Sequence, residues 1–182
     1  MADQLPLYNS RIIKIYLEYL SAYYPEVNID HILDYAGIAR YEVEDPAYWL
    51  TQDQADRFHY IAAKMTRNRN IARDAGRYGT SSRQLGPIRQ YALGLMNAAS
   101  AYLFIEKLYR IMSRGADVKV KKLGSQAVEI IATPRPGVQE KPYQCENRIG
   151  LFESLAEFFT GKHARVEHPS CLHKGGDTCR YI

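Results

Sequence analysis

The sequence predicts an α+β protein in which a helical N-terminal part precedes a β-β-α-β-β unit, whose antiparallel sheet packs on a long helix. Apolar residues recur at helical spacing up to about Met112. After Gly115 the pattern changes to the alternation that is typical of strands. One more helical segment then lies between two pairs of short strands, and this order of elements favours the α+β class over a parallel α/β sheet.

The helical part is expected to occupy residues 1–84. Ser10 is a candidate cap for the first helix, and Gly37 is placed to end a short second one. The stretch TQDQ, from Thr51 to Gln54, has the form of a capping box and predicts the start of another helix. The longest periodic segment runs from Pro87 to Met112 and is predicted to be the long helix beneath the sheet.

Residues 85–182 contain the predicted sheet. DVKVKKLG and QAVEIIAT both alternate, and Gly124-Ser125 between them indicates a hairpin. A helix is expected from Cys145 to Phe159, followed by two short strands at 165–171 and 178–182 around the turn LHKGGD.

The composition favours a single module over residues 1–182, located in the cytoplasm. The net charge is +4, 46% of the residues are hydrophobic, and no apolar run is long enough to span a membrane. The N-terminus lacks the basic and apolar pattern of a secretory signal. Thiols stay reduced in the cytosol, and three cysteines cannot all pair within one chain, so a metal site or free thiols are the two interpretations of Cys145, Cys171 and Cys179.

The spacing of these cysteines favours one metal site. Cys171 and Cys179 are eight residues apart, one on each strand of the last predicted hairpin, and Cys145 lies 26 residues before Cys171 at a predicted helix start. His168 is the first choice for a fourth ligand, with His173 and Glu167 as alternatives. Three cysteines and one histidine form a known set for structural zinc. The competing interpretation is that Cys145 is a small buried apolar residue and that the other two are free thiols.

The cysteine pattern, ending in CLHKGGDTCRY, resembles the 4-vinyl reductase domain, which also forms the sensor half of phenol-responsive transcription activators. That fold is shared with small subunits of the TRAPP transport complex. The resemblance covers residues 85–182 and implies a zinc ion held by Cys145, Cys171 and Cys179. In the activators an acidic ligand lies three residues before the middle cysteine, and this sequence has His168 there instead.

The resemblance implies a bacterial signalling function rather than catalysis by this chain. We expect a homodimeric sensor that binds a small apolar or aromatic molecule and acts on an output module, in transcription regulation for example, outside this sequence. A zinc-dependent enzyme and a scaffold subunit of the same fold are the alternatives. Candidate ligand contacts on the two main helices are Tyr91, Leu95, Tyr102 and Phe152.

Two other features have a structural and a functional interpretation. His59 lies beside an apolar helix face, where a histidine satisfied by packing is favoured over a ligand of heme or of a substrate. The basic stretch from Lys64 to Gln84 has the charge to follow a phosphate backbone, but a solvated helix face with a loop is favoured. We therefore expect no nucleic-acid contact by this chain.

Overall fold

The computed structural model describes residues 5–81, 102 and 105–182, and it confirms the α+β class. The helical part contains β1 (Pro6–Asn9), α1 (Ser10–Tyr23), α2 (Ile29–Ala36), α3 (Arg40–Glu44), β2 (Trp49–Thr51), α4 (Gln52–Thr66) and α5 (Ile71–Tyr78). The remainder contains α6 (Ile105–Met112), β3 (Ala116–Lys122), β4 (Val128–Pro134), α7 (Pro142–Thr160), a 3₁₀ turn (Leu172–Lys174) and β5 (Cys179–Tyr181).

The strands form two small antiparallel sheets. Strand β1 pairs with β2, while β3, β4 and β5 form a three-stranded sheet in that order. The β3–β4 hairpin is in continuous register from Ala116 opposite Pro134 to Lys122 opposite Val128, as its alternating sequence predicted. None of the helices among the described residues has an apolar stretch long enough to cross a bilayer.

Local signals predicted several helix ends correctly. Thr51 Oγ1 accepts from the backbone N–H of Gln54, whose side chain accepts from the Thr51 N–H in return. Gly37 ends α2 with φ of 65°. The cap of α1 is Asn9 rather than Ser10, because the Asn9 side chain accepts from the Arg11 N–H. Ser10 instead donates its hydroxyl hydrogen to the Asp45 carbonyl, 2.6 Å away.

Other elements differ from the prediction. The expected strand at 165–171 is only an isolated bridge between Ser170 and Arg180, so the unit is β-β-α-β. The β1–β2 pair, α3 and α5 were not predicted. Of the predicted long helix from Pro87 to Met112, the part that forms α6 is helical, as is Tyr102, and the rest lies outside the described residues.

Two hydrophobic cores result from this arrangement. One lies within the helical part and includes Leu20, Ile32 and Phe58, which are almost completely buried. The other lies between the three-stranded sheet and α7 and includes Ile130 and Phe152. A smaller cluster of Ile15, Leu108 and Met112 joins them.

Helices α5 and α7 connect the two parts with their backbones in contact. A Cβ atom at Gly76 would lie 2.2 Å from the Asn147 carbonyl oxygen, and one at Gly150 would lie 1.9 Å from the Arg73 carbonyl oxygen. Only glycine permits so close an approach. Glu153 on α7 reinforces the contact, because Arg73 and Arg77 of α5 both donate to its carboxylate. Burial raises the pKa of Glu153, but these hydrogen bonds outweigh it and lower the pKa below its ordinary value.

Replacing Gly150 with alanine should therefore destabilise the protein by about 3 kcal/mol, since the helices must separate to admit a methyl group. The measurement is the midpoint of urea unfolding. Gly124→Ala is the matched control, because no atom lies within 4 Å of the Cβ it would add. Equal unfolding midpoints for the two variants would show that the helix contact tolerates a side chain.

Candidate functional site: an apolar cavity and a sulfur cluster

A partly open cavity of about 120 Å³ lies where the helical part meets α6 and α7. Its wall is almost entirely apolar and includes Ile12, Ile15, Phe58, Leu108, Met112 and Leu151. Ala75 and Gly76 of α5, with Gly79 just after its end, also border it, so only small residues lie on this side of the space. Clefts of this character are the usual sites for small molecules in proteins.

Tyr8 and Gln144 border the cavity and belong to a buried polar cluster. Tyr8 donates its hydroxyl hydrogen to Gln52 and accepts from Gln144 Nε2, which is 2.6 Å away. Gln52 Nε2 donates to Asp56, 2.7 Å away, and Gln144 Oε1 accepts from the Lys141 N–H at the start of α7. Burial raises the pKa of Asp56 above its ordinary value. The groups of this cluster are engaged with one another, so they fix the orientation of α4 against α7.

His59 differs from these groups because its Nε2 atom is buried and has no hydrogen-bond partner. Its ring lies flat on that of Tyr143, with 4.1 Å between the ring centroids, and it borders the cavity. Burial lowers the pKa of His59 from 6.5 to about 4, so the imidazole is neutral at physiological pH. The sequence predicted a histidine whose hydrogen-bonding groups are satisfied, and this is wrong for His59, because its Nε2 atom has no partner.

The neutral state of His59 predicts a pH dependence of stability. The unfolded chain binds a proton at His59 near pH 6.5, and the folded chain only near pH 4, so the free energy of unfolding should fall as the pH is lowered from 6.5 to 4. His59→Phe retains the ring contact with Tyr143 and should flatten this part of the profile. The measurement is urea unfolding at a series of pH values.

His31→Phe is the control, because His31 is exposed on α2. If His59→Phe retains the full decline between pH 6.5 and 4, the decline has another origin.

The second candidate site is a cluster of Cys145, His168, Cys171 and Cys179, in which one ligand atom of each residue lies within 4.8 Å of those of the others. The Sγ atoms of Cys145 and Cys179 are 3.4 Å apart. All three cysteines are buried, and His168 Nε2 is buried without a hydrogen-bond partner. The residues that the sequence singled out are thus brought together, with His168 in the fourth position.

Local structure explains how residues far apart in sequence meet here. Cys145 lies in the first turn of α7, and Cys179 begins β5, where it pairs with Ala132. Backbone bonds between Glu167 and Ile182 hold the segment before Cys171 beside β5. The Glu167 carboxylate pairs with Arg165, and His173 is exposed in the 3₁₀ turn, so neither alternative belongs to the cluster.

The cluster favours one thiolate. A hydrogen bond from Cys145 lowers the pKa of Cys179 to about 4, and the same bond raises the pKa of Cys145. A thiolate is the form of cysteine that binds metals, and neutral imidazole is the corresponding form of histidine. The four groups therefore have the chemistry of a ligand set for a thiophilic ion.

Of the predicted ligand contacts, Phe152 borders the cavity and Tyr102 does not. The Tyr102 hydroxyl instead donates a hydrogen bond to the Phe152 backbone carbonyl, 2.6 Å away. Tyr91 and Leu95 lie outside the described residues. Sequence reasoning missed the cavity contacts of the helical part, because Ile12 and Phe58 follow the same apolar pattern as their core neighbours.

Comparison with solved structures identifies the fold. An H-NOX protein from S. oneidensis, in the Fe(II)NO ligation state, matches with a TM-score of 0.73 over 96% of this chain and 97% of its own, at 13% identity. An oxygen-binding H-NOX domain related to soluble guanylate cyclases matches with a TM-score of 0.69 over 95% of this chain and 93% of its own, at 16% identity. The chain has the H-NOX fold. No protein-family model and no curated protein matches it.

These matches correct two predictions. The assignment to the 4-vinyl reductase domain is wrong, because the structural neighbours are H-NOX proteins. The prediction of zinc as the cofactor is contradicted as well. A further neighbour is described by heme redox potential and porphyrin distortion. It matches with a TM-score of 0.71 over 95% of this chain and 97% of its own, at 15% identity. The comparisons point to heme for this fold and not to zinc.

The described residues of this chain offer a heme little space and only one histidine. Pockets for drug-sized ligands are about 300–1,000 Å³, several times the 120 Å³ found here. All five histidines are described, and of these only His59 borders the cavity, where Tyr143 covers one face of its ring. The cysteines, another class of heme ligand, are all in the sulfur cluster.

Proposed function

We propose that this chain is a ligand-sensing domain of a signalling protein, and that its ligand is a small apolar or aromatic molecule bound in the cavity. The observation that carries the proposal is the position of the cavity, which is bordered by helices of both parts of the chain. An engineered apolar cavity of about 150 Å³ binds benzene, so the space found here suits a ligand of about that size.

Sensing requires that the ligand favour one conformation over another. A molecule in the cavity contacts α1 and α4 on one side and α6 and α7 on the other, so its occupancy affects how the two parts pack. A homodimer and an output module that receives this change complete the proposal. A sensing role, rather than catalysis, agrees with an apolar wall whose polar groups are largely engaged with one another.

Toluene, phenol and indole should each raise the melting temperature of the wild-type chain if the cavity is the ligand site. At a hundred times its Kd, a ligand stabilises the folded state by about 2.7 kcal/mol. Ala55→Leu adds three carbons to the cavity wall and should abolish the effect, whereas Ala47→Leu makes the same change at an exposed position. The measurements are thermal shift and calorimetric titration.

If none of the three probes binds, the proposal is rejected. Retention of added hemin with a Soret band that His59→Ala abolishes would identify the cavity as a heme site instead.

We propose further that Cys145, His168, Cys171 and Cys179 bind a thiophilic metal ion. The support is the mutual proximity of the four ligand atoms, their burial, and the absence of a hydrogen-bond partner at His168 Nε2. Such an ion would join α7 to β5 and to the segment before Cys171. Soft thiolate ligands select for ions of this class.

Addition of Co²⁺ as a spectroscopic probe should produce sulfur-to-cobalt charge-transfer absorption with one ion bound per chain. Cys179→Ser should remove most of this absorption, because it takes a buried thiolate from the ligand set. Ser170→Cys adds a thiol next to the cluster without removing a ligand, and it serves as the control for thiol content. A spectrum without charge-transfer bands in the wild type would contradict the assignment.

A further inference from the structure

We propose that the ligand is an amphipathic monocarboxylate, with its apolar body in the cavity and its carboxylate in a cationic groove on the surface beside His59. This inference rests on the proposed function, because it assigns a chemical class to the ligand of the same cavity. It depends on three features of the described residues. These are the cationic groove, the position of His59 at both the groove and the cavity, and the lack of an unpaired cation inside the cavity.

The groove lies at the end of α4 and the start of the segment that follows. It is lined by His59, Tyr60, Ala63, Lys64, Arg67 and Arg69. Lys64, Arg67 and Arg69 are exposed, and among the described residues none of them forms an ion pair. Lys64 Nζ is 5.9 Å from the centre of the Tyr60 ring. Three cations without an acidic partner around one depression form a site for an anion.

Arg67 occupies a backbone conformation that usually selects glycine or asparagine. It ends α4 in the left-handed region with φ of 53°, and it is the one non-glycine residue with positive φ among those described. This conformation costs a residue with a Cβ about 1–2 kcal/mol. The chain therefore has a strained arginine at the groove, where asparagine would fit the backbone better.

His59 connects the groove to the cavity. It is the only described residue that borders both spaces. Its ring stacks on that of Tyr143, which also borders the cavity, so a ligand that extended from one space into the other would have to pass this pair of rings. The Nε2 atom of His59 is buried without a hydrogen-bond partner, so it is available to a polar group of such a ligand.

The carboxylate of the ligand is expected to lie outside the cavity. A carboxylate buried in an apolar wall without a partner is strongly unfavourable. Arg148 is the one cation among the described residues that border the cavity, and it is already paired with Glu140 and bonded to the Tyr109 hydroxyl, 2.5 Å away. The groove, which shares His59 with the cavity, offers three exposed cations without such partners. In this arrangement the apolar body lies in the cavity and the carboxylate stays at the surface.

The size of the cavity limits the apolar body to about one aromatic ring. A short linker then places the carboxylate beyond His59. The suitable probe is 3-phenylpropionate, and 3-phenylpropan-1-ol is its neutral counterpart of nearly the same shape. Both are compared by calorimetric titration with the full chain at low and at high salt.

The acid should bind about tenfold more tightly than the alcohol at low salt, since contacts with exposed cations contribute modestly each and add over two or three residues. High salt should reduce this advantage, because it screens exposed charges. The double variant Arg67→Asn/Arg69→Gln should lose the preference for the acid and retain the affinity for the alcohol. Asparagine suits the left-handed backbone at position 67, so the variant is expected to fold.

Lys121→Gln/Lys122→Gln is the matched control, because it removes two exposed cations from the distant β3–β4 hairpin. It should leave the tenfold preference unchanged. Equal binding of acid and alcohol, unaffected by Arg67→Asn/Arg69→Gln, would overturn the carboxylate inference while the cavity remained a ligand site. If neither probe binds, the proposed function fails and this inference fails with it.

Discussion

The contact between α5 and α7 is the constraint on which the rest of the structure depends. Gly76 and Gly150 allow the two backbones to touch, and the Glu153 carboxylate binds Arg73 and Arg77 across the same interface. Next to this contact, side chains from α1, α4, α6 and α7 meet around the cavity, which α5 borders only with Ala75 and Gly76. The small residues that let the two helices touch therefore also form one side of the cavity.

Helix α7 serves both candidate sites. Its first turn carries Cys145 of the sulfur cluster, and its middle carries Arg148 and Leu151 at the cavity wall. An ion that fixed the start of this helix would limit how the helix moves when the cavity is occupied. In the proposed sensor, the ion and the ligand would therefore act on the same rigid element, one at its end and one along its side.

The relation to the H-NOX proteins is one of fold, and a fold does not specify the molecule that it binds. At 12–16% identity the backbone arrangement is retained over almost the whole chain, while the side chains that border the cavity are free to differ. In this chain these side chains close the space to about 120 Å³ and leave one histidine at its edge.

The sequence alone determined the features that depend on neighbouring residues. The capping box of Thr51 and Gln54, the end of α2 at Gly37 and the β3–β4 hairpin all follow from contacts a few residues apart, and each was predicted correctly. Helix α5 was missed because its buried face consists largely of small residues, such as Ala75 and Gly76, among charged ones. Its stability comes from α7, more than sixty residues later in the chain, and no local pattern records that partner.

The grouping of Cys145, His168, Cys171 and Cys179 was also inferred from the sequence, since their spacing and chemistry are visible there. His168 was the first choice from the sequence, but the exclusion of Glu167 and His173, and the cavity itself, were decided only by the tertiary structure. Both depend on where the surfaces of distant elements meet, which is set by the packing of whole helices and strands. Periodicity along one segment carries no information about that packing.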